Sequence, residues 1–444
     1  MIRRLMVLLL LVGGAVLLEP LRVPTEGVIA PRSLFLFGIL LLTADTFGAL
    51  AHDLKLPRLV GYLIAGLVLG PSVTHIVPAG VLEDLAMMKR LAVGLIGLLA
   101  GAELRITDLR ARHRIIAMVL ALQTVAVLGI LLGTTLLARS WMPFLSGLSQ
   151  GPLFFVALLF ATLLTVNSPM VTLAMLTETR ASGPLAKTTL GVVLVADVLI
   201  ILLFTGAFSL ARGSLTGTVS GAAEALTRLL LEMMGSIGAG VFVGAVVSLY
   251  LGLVKRELVL FAVLVVFATA AAAQALHFEL LLSLLVAGFL VENVAPVRAE
   301  PLVQALHQTA VPVFVIFFAM AGAELHLQEF AAVWPLVLLI ALVRIGAIWG
   351  SATLAGRLAR AEAAVVRYGW TGLVSQAGVA LGLATIVADR LSGVGLAMQA
   401  VTVGVIAFNE SVGPILFRRG LERAGEVPRG GLSGPLVSGA RSWG

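Results

Sequence analysis

The sequence predicts an all-α polytopic membrane protein containing an inverted-topology repeat, and three observations carry that prediction. Of the 444 residues, 60% are hydrophobic and only 12% charged, with a mean hydropathy of +1.09. A soluble core of that composition would lack the polar surface to cover it. The apolar residues gather into runs of helix length, and strand-like alternation is absent. The chain also repeats itself. Leu63-Ile64-Ala65-Gly66 returns as Leu285-Val286-Ala287-Gly288, and Gly101-Ala102-Glu103-Leu104 returns as Gly322-Ala323-Glu324-Leu325, at offsets of 222 and 221 residues. Counted in apolar runs, the two Gly-Ala-Glu-Leu helices lie seven spans apart. An odd number sends them across the bilayer in opposite directions, an arrangement that points to a secondary transporter.

Thirteen spans follow in order: 33–52, 57–71, 86–103, 114–138, 152–176, 185–209, 233–254, 257–275, 278–294, 303–323, 331–356, 366–388 and 395–417. Most are long enough, at 1.5 Å per residue, for a hydrocarbon slab of about 30 Å. Nineteen Lys and Arg residues in the connections and tail flank one face and six the other. The basic face is the cytoplasmic one, so the C-terminus lies inside and the first span starts outside, in a cell inner (plasma) membrane. The net charge of +7 is then a topology signal and not a nucleic-acid patch. Residues 1–30 open with Met1-Ile2-Arg3-Arg4 and a short apolar stretch, Leu5 to Leu18, which reads as a signal peptide or an uncleaved signal anchor. Val28-Ile29-Ala30 is the candidate cleavage site. Residues 418–444 read as a short cytoplasmic tail rich in Arg, Gly, Pro and Ser. With no cysteine in the chain, disulfides, zinc-thiolate sites and iron-sulfur clusters are excluded.

Charges inside the spans mark the chemistry, because each costs at least about 2.5–3.5 kcal/mol near the bilayer centre. Asp45 in the first span is ambiguous. The fifth span carries Thr165-Val166-Asn167-Ser168-Pro169 at its middle. Proline removes a donor and clashes with the preceding turn, and Thr165, Asn167 and Ser168 can serve the freed backbone groups or a cation. An ordinary proline kink is the plainer alternative. Asp197 in the sixth span stands ten residues from Lys187, about 15 Å into the slab. It is read either as a salt-bridged structural acid or as a group that alternately holds a proton and a cation.

In the second half, Arg344 is the only basic residue left mid-span once the loop charges are assigned. It is read as a counter-charge, either for the acid or for half-helix dipoles. Ser375 and Gln376, within Thr371-Gly372-Leu373-Val374-Ser375-Gln376-Ala377-Gly378, suit a second interrupted helix. Glu410 in the thirteenth span is expected to pair with Arg344, to sit at the cytoplasmic mouth, or to act as a second acid. Glu103 and Glu324 end their helices and read as interfacial caps or closure contacts. The six histidines fall near helix ends and read as solvated polar residues. The chain has no His-Glu-x-x-His, Gly-x-Ser-x-Gly or P-loop pattern, which argues against a hydrolase or an ATP-driven pump.

Leu56-Pro57-Arg58-Leu59-Val60-Gly61-Tyr62, continuing to Gly70-Pro71, together with the interrupted fifth span, Asp197 and Arg344 in that order, resembles the monovalent cation:proton antiporters of the sodium/proton exchanger fold. The resemblance covers about residues 33–418. It implies two six-helix inverted repeats, 33–209 and 257–417, joined by a linker helix at 233–254, with two interrupted helices that cross. It further implies a core of spans four to six and eleven to thirteen moving, elevator-like, against a dimerisation domain, in a homodimer. Asp197 matches the family's ion-carrying aspartate and Arg344 its basic residue on the eleventh span. Asn167-Ser168-Pro169 stands where many members have Thr-Asp-Pro, and Ala196 where they have Asn, Asp or Gln.

The resemblance therefore implies exchange of Na+ or K+ for H+, with Thr165, Asn167 and Ser168 as neutral ligands and no cofactor. Electrogenic relatives carry an extra acid beside the key aspartate; with Ala196 in that slot, the exchange is expected to be electroneutral. An organic-solute symporter, or a non-transporting sensor on the same fold, remains the alternative.

Overall fold

Prolines and side-chain caps decide where these helices begin, and small residues decide how closely they pack. The computed structural model describes residues 30–428 apart from positions 55, 143, 146, 217–221, 255, 277, 296–298, 325–326, 377 and 392. The signal segment, save Ala30, and the tail from residue 429 lie outside the described residues. The described elements are all helical: α1 (Pro31–Asp53), α2 (Arg58–Leu69), α3 (Ala79–Asp84), α4 (Ala86–Glu103), α5 (Ile106–Leu137), α6 (Gln150–Thr165), α7 (Pro169–Thr179), α8 (Pro184–Thr216), α9 (Ala222–Leu253), α10 (Leu258–Leu276), α11 (Leu280–Asn293), α12 (Glu300–Ala323), α13 (Leu327–Leu358), α14 (Ala363–Tyr368), α15 (Gly378–Arg390) and α16 (Gly395–Ala424). Short 3-10 turns at Arg139–Trp141 and Gly369–Leu373 complete the list.

Span 86–103 coincides with α4, while the fifth span divides into α6 and α7 and the twelfth into α14, a 3-10 turn and α15. Helices α5, α8 and α9 reach 32 or 33 residues, longer than expected, because hydropathy marks only the part of a helix that lies in lipid. Among the described residues nine helical stretches are long and apolar enough to cross a membrane; Arg58–Leu69, Leu280–Asn293 and Val379–Ala388 are apolar but shorter. A multi-pass membrane protein follows.

Two hydrophobic clusters organise the packing. One joins α1–α4 and α9–α12 with α7 and the last turns of α16; the other joins α5, α6, α8, α13, α15 and α16. Within the first, the repeated sequence motifs meet crosswise. A Cβ on Gly66 of α2 would run into the Ala319 carbonyl of α12, and one on Gly322 of α12 into the Leu63 carbonyl of α2. A Cβ on Gly101 of α4 would likewise strike the Leu285 carbonyl of α11, and one on Gly288 the Leu98 carbonyl of α4. Each half's Leu-x-Ala-Gly segment therefore seats on the other half's Gly-Ala segment, backbone against backbone, as small residues allow in membranes.

The acids that follow those motifs pin α4 to α12 at both ends. His307 Nε2 lies 2.8 Å from Glu103 Oε1, and Lys89 pairs with Glu324. Both glutamates are contacts between helices, and His307, expected as a solvated polar residue, is 38% exposed and also meets Glu103.

Candidate ion-binding site

The break in the fifth span follows from Pro169. Without an N–H, and with Ser168 in extended conformation (φ −112°, ψ 108°), the chain cannot continue α6 past Thr165. Ser168 caps the new helix instead, its Oγ accepting from the Val171 N–H at 3.2 Å. The last carbonyls of α6 are thereby orphaned in a buried setting, which is costly unless a donor reaches them. Arg344 of α13, 0% exposed, supplies the donors. Its Nε donates to the Leu164 carbonyl at 2.6 Å and its Nη2 to the Val166 carbonyl at 2.8 Å. Nη1 turns to the second break and donates to the Val374 carbonyl at 2.6 Å.

One guanidinium thus holds both interrupted helices together, where its forked donors meet the negative ends of two half-helices. Of the two roles open to Arg344, its bonds go to backbone carbonyls; among the described residues none joins it to Asp197 or Glu410.

Amides fill the rest of the crossing. Asn167 Oδ1 accepts from Gln123 Nε2 of α5 at 3.1 Å and from Arg344 Nη2 at 3.4 Å. Gln376 Nε2 donates to the Leu164 carbonyl at 3.3 Å, and Asn409 Nδ2 of α16 donates to Gln376 Oε1 at 2.8 Å. Ser375 is buried against Gly413 of α16. The Thr165 hydroxyl donates to the Ala161 carbonyl of its own helix at 2.9 Å. Gln123 and Asn409 escaped the sequence reading. The only signal for either was an uncharged amide in an apolar run, and for Asn409 a neighbouring acid.

Asp197 lies about 20 Å along α8 from Pro184, on a helix that packs along α6 and the Gly369–Leu373 turn. Its side chain is partly exposed, and Oδ1 is buried with no hydrogen-bond partner. Among the described residues no hydrogen bond or ion pair joins Asp197 to Thr165, Asn167 or Ser168. The structure brings Asn167, Arg344 and Gln376 into one network that, among the described residues, Asp197 does not join.

Further buried oxygens lacking a donor are Gln123 Oε1, Asn409 Oδ1 and both oxygens of Glu410. Amide and carboxyl oxygens are the ligands that hard cations take. At one end of the molecule, where the loops after α1, α4, α7 and α11 meet, a cavity of about 850 Å³ opens between α2, α7, α8 and α12, with Arg58, Glu103, Glu178, Glu292, His307 and Arg418 in its wall.

The solved structure of the sodium proton antiporter MjNhaP1 from Methanocaldococcus jannaschii at pH 8 superposes with a TM-score of 0.62 at 16% identity, covering 88% of this chain and 96% of that one. At that identity the likeness speaks for the fold. No curated protein matches the chain. The transmembrane sodium/hydrogen exchanger family matches residues 38–421, a stretch that holds both helix breaks, Asp197 and Arg344, and the chain belongs to that family.

Proposed function

We propose that the protein is a secondary antiporter that exchanges a monovalent cation, Na+ or K+, for H+ in the plasma membrane, with Asp197 as the carrier. The observation that carries this reading is the Asp197 carboxyl itself. It stands mid-helix, with Oδ1 buried and without a hydrogen-bond partner, and among the described residues no ion pair neutralises it. An acid so placed is occupied in turn by a proton and by a cation, and the two compete for one site. Gln123, Asn167 and Asn409 offer neutral oxygens near the crossing; Thr165 and Ser168 keep lone pairs beyond their backbone bonds. Arg344 fixes the geometry of the two breaks and leaves the acid free. With Ala196 beside it, Asp197 exchanges one charge for one charge.

Alternation between the two faces is read as sliding of the α5–α8 and α13–α16 body against the α1–α4 and α9–α12 body, with α7 and the last turns of α16, which pack into the first cluster, as the seam between them. The large cavity is then the cytoplasmic entrance, since the loops around it belong to the basic face. The resemblance carries a homodimer as well, and the exposed apolar faces of α9 and α10, with Phe242, Leu249 and Leu260, meet lipid or a second copy.

Proteoliposomes loaded with a pH dye test the reading. Addition of Na+ or K+ to acid-loaded vesicles is expected to alkalinise the lumen, with an apparent cation KM that rises as pH falls. Asp197→Asn is expected to reduce the signal at least ~100-fold. A signal evoked by an organic solute alone, or an undiminished signal in the variant, refutes the assignment.

A further inference from the structure

The turn Leu56-Pro57-Arg58, between α1 and α2, takes its caps from the other body. A helix start leaves backbone N–H groups without partners inside the helix, and Pro57, which precedes α2, has no side-chain oxygen to cap it. Glu178, in the last turn of α7, supplies one: its Oε1 accepts from the Arg58 N–H at 2.9 Å. Arg418 of α16 serves the other side of the proline and donates from Nη1 to the Leu56 carbonyl at 3.0 Å. The guanidinium is aimed by Glu422, whose Oε1 accepts from Nε at 2.9 Å. An acid at a helix N-terminus is well placed in the helix field, and both bonds are charge-assisted. One turn of the first body is thereby gripped, two residues apart, by a carboxylate and a guanidinium of the second.

Both gripping residues stand at the seam, and both are tied to the ion-binding crossing. The Thr172 hydroxyl of α7 donates to the Gly372 carbonyl in the second break at 3.4 Å. Helix α16 carries Asn409, which is bonded to Gln376. Just past α16, the Glu426 carboxylate accepts from the Leu185 and Ala186 N–H groups at 2.7 and 2.9 Å, at the start of the helix that carries Asp197. Gly183 leaves room for that carboxylate where a Cβ would strike it. A shift of α8 along the seam therefore draws Arg418 with it, and a shift of the two breaks draws Glu178. Arg58, Glu178 and Arg418 also lie in the wall of the large cavity, so the grip is made while that cavity stands open.

We propose that Glu178 and Arg418 form a latch that holds the carrier with its cavity open, and that passage to the other face requires both to release the Leu56-Pro57-Arg58 turn. This rests on the two-body alternation of the antiport reading, but its test reads the resting conformation and not ion flux. Without the latch, the open state loses two charge-assisted bonds. The closed state, in which both groups have already left the turn, loses neither, so the balance moves toward it.

Because the chain has no cysteine, a single introduced thiol reports the balance. Leu190→Cys, on α8 in the cavity wall, is treated in inside-out membrane vesicles with a membrane-impermeant methanethiosulfonate reagent, and its modification rate is measured. The rate is expected to fall at least ~5-fold in Glu178→Ala and in Arg418→Ala, each of which deletes a hydrogen bond made by a charged group. Glu178→Gln keeps an acceptor for the Arg58 N–H and is expected to stay within about twofold of the parent. Unchanged or faster modification in either alanine variant overturns the latch, as does a loss in Glu178→Gln equal to that in Glu178→Ala. Should an alanine variant fail to fold, Arg418→Gln, which is too short to reach the Leu56 carbonyl, gives the same reading. Modification that responds as expected, in a protein whose vesicles show no cation-evoked proton flux, sinks the antiport reading and leaves the latch standing.

Discussion

Arg344 is the residue on which the geometry of the crossing turns. Its three strong bonds run to carbonyls of two separate chain breaks, so Arg344→Lys, which trades a planar fork for a point charge, leaves at least one buried carbonyl unsatisfied. The expected cost is about 1–3 kcal/mol, and for Arg344→Gln more than that; thermal unfolding in detergent measures it. An unaltered Tm in both variants would mean that the breaks hold themselves open. At the surface the effect is smaller. Arg112 donates to both oxygens of Glu362 at 2.9 and 3.2 Å, and this holds the Glu362 carboxyl below its ordinary value of 4.5. A lowered native pKa stabilises the fold above the unfolded value and loses that contribution as pH falls through the native one. Because the carboxyl is largely exposed, Glu362→Gln is expected to cost no more than about 1 kcal/mol at pH 7. The difference from wild type is expected to fade as the pH drops below about 4.5, which a pH series of melting curves reads directly.

Among the elements, the four glycines at the α2–α12 and α4–α11 contacts decide how the first cluster closes. Each faces a carbonyl of the partner helix with no room for a methyl group. Gly66→Ala is therefore expected to push α2 off α12 and to destabilise by about 1–3 kcal/mol. Gly129→Ala, on α5 with open space around it, is expected to be neutral or slightly stabilising. Equal melting temperatures for the two variants would contradict the close packing. The sequence revealed these motifs as echoes 221 and 222 residues apart, but an echo gives no partner. That each pairs with the opposite half is a property of two helices seated on each other, and no spacing along one chain encodes it.

For the molecule as a whole, the two clusters define what must move if ions are to reach both faces in turn. Because the chain has no cysteine, introduced thiols are unique. A reversible cross-link between Leu56→Cys and Arg418→Cys joins the α1–α2 loop to α16, where Arg418 already donates to the Leu56 carbonyl at 3.0 Å. It is expected to stop cation-evoked proton flux until reductant is added. The same cross-link between Ser33→Cys on α1 and Asp84→Cys on α3, which are hydrogen-bonded to each other within the first body, is expected to leave flux intact. Flux that persists through the first cross-link, or stops with the second, contradicts sliding of one body on the other.

By itself the sequence determined the chemical setting: a helical protein in lipid, a proline break at 165–169, and Asp197, Arg344 and Glu410 as charges in spans. These are local properties, since hydropathy, a missing N–H and an out-of-place charge are all legible one segment at a time. Tertiary structure decided the pairing. It took Arg344 away from the acids and gave it to carbonyls from breaks some 200 positions apart. It also brought Gln123 and Asn409 into the crossing. Which donor reaches which orphaned acceptor depends on how helices distant in sequence cross, and only the folded packing fixes that.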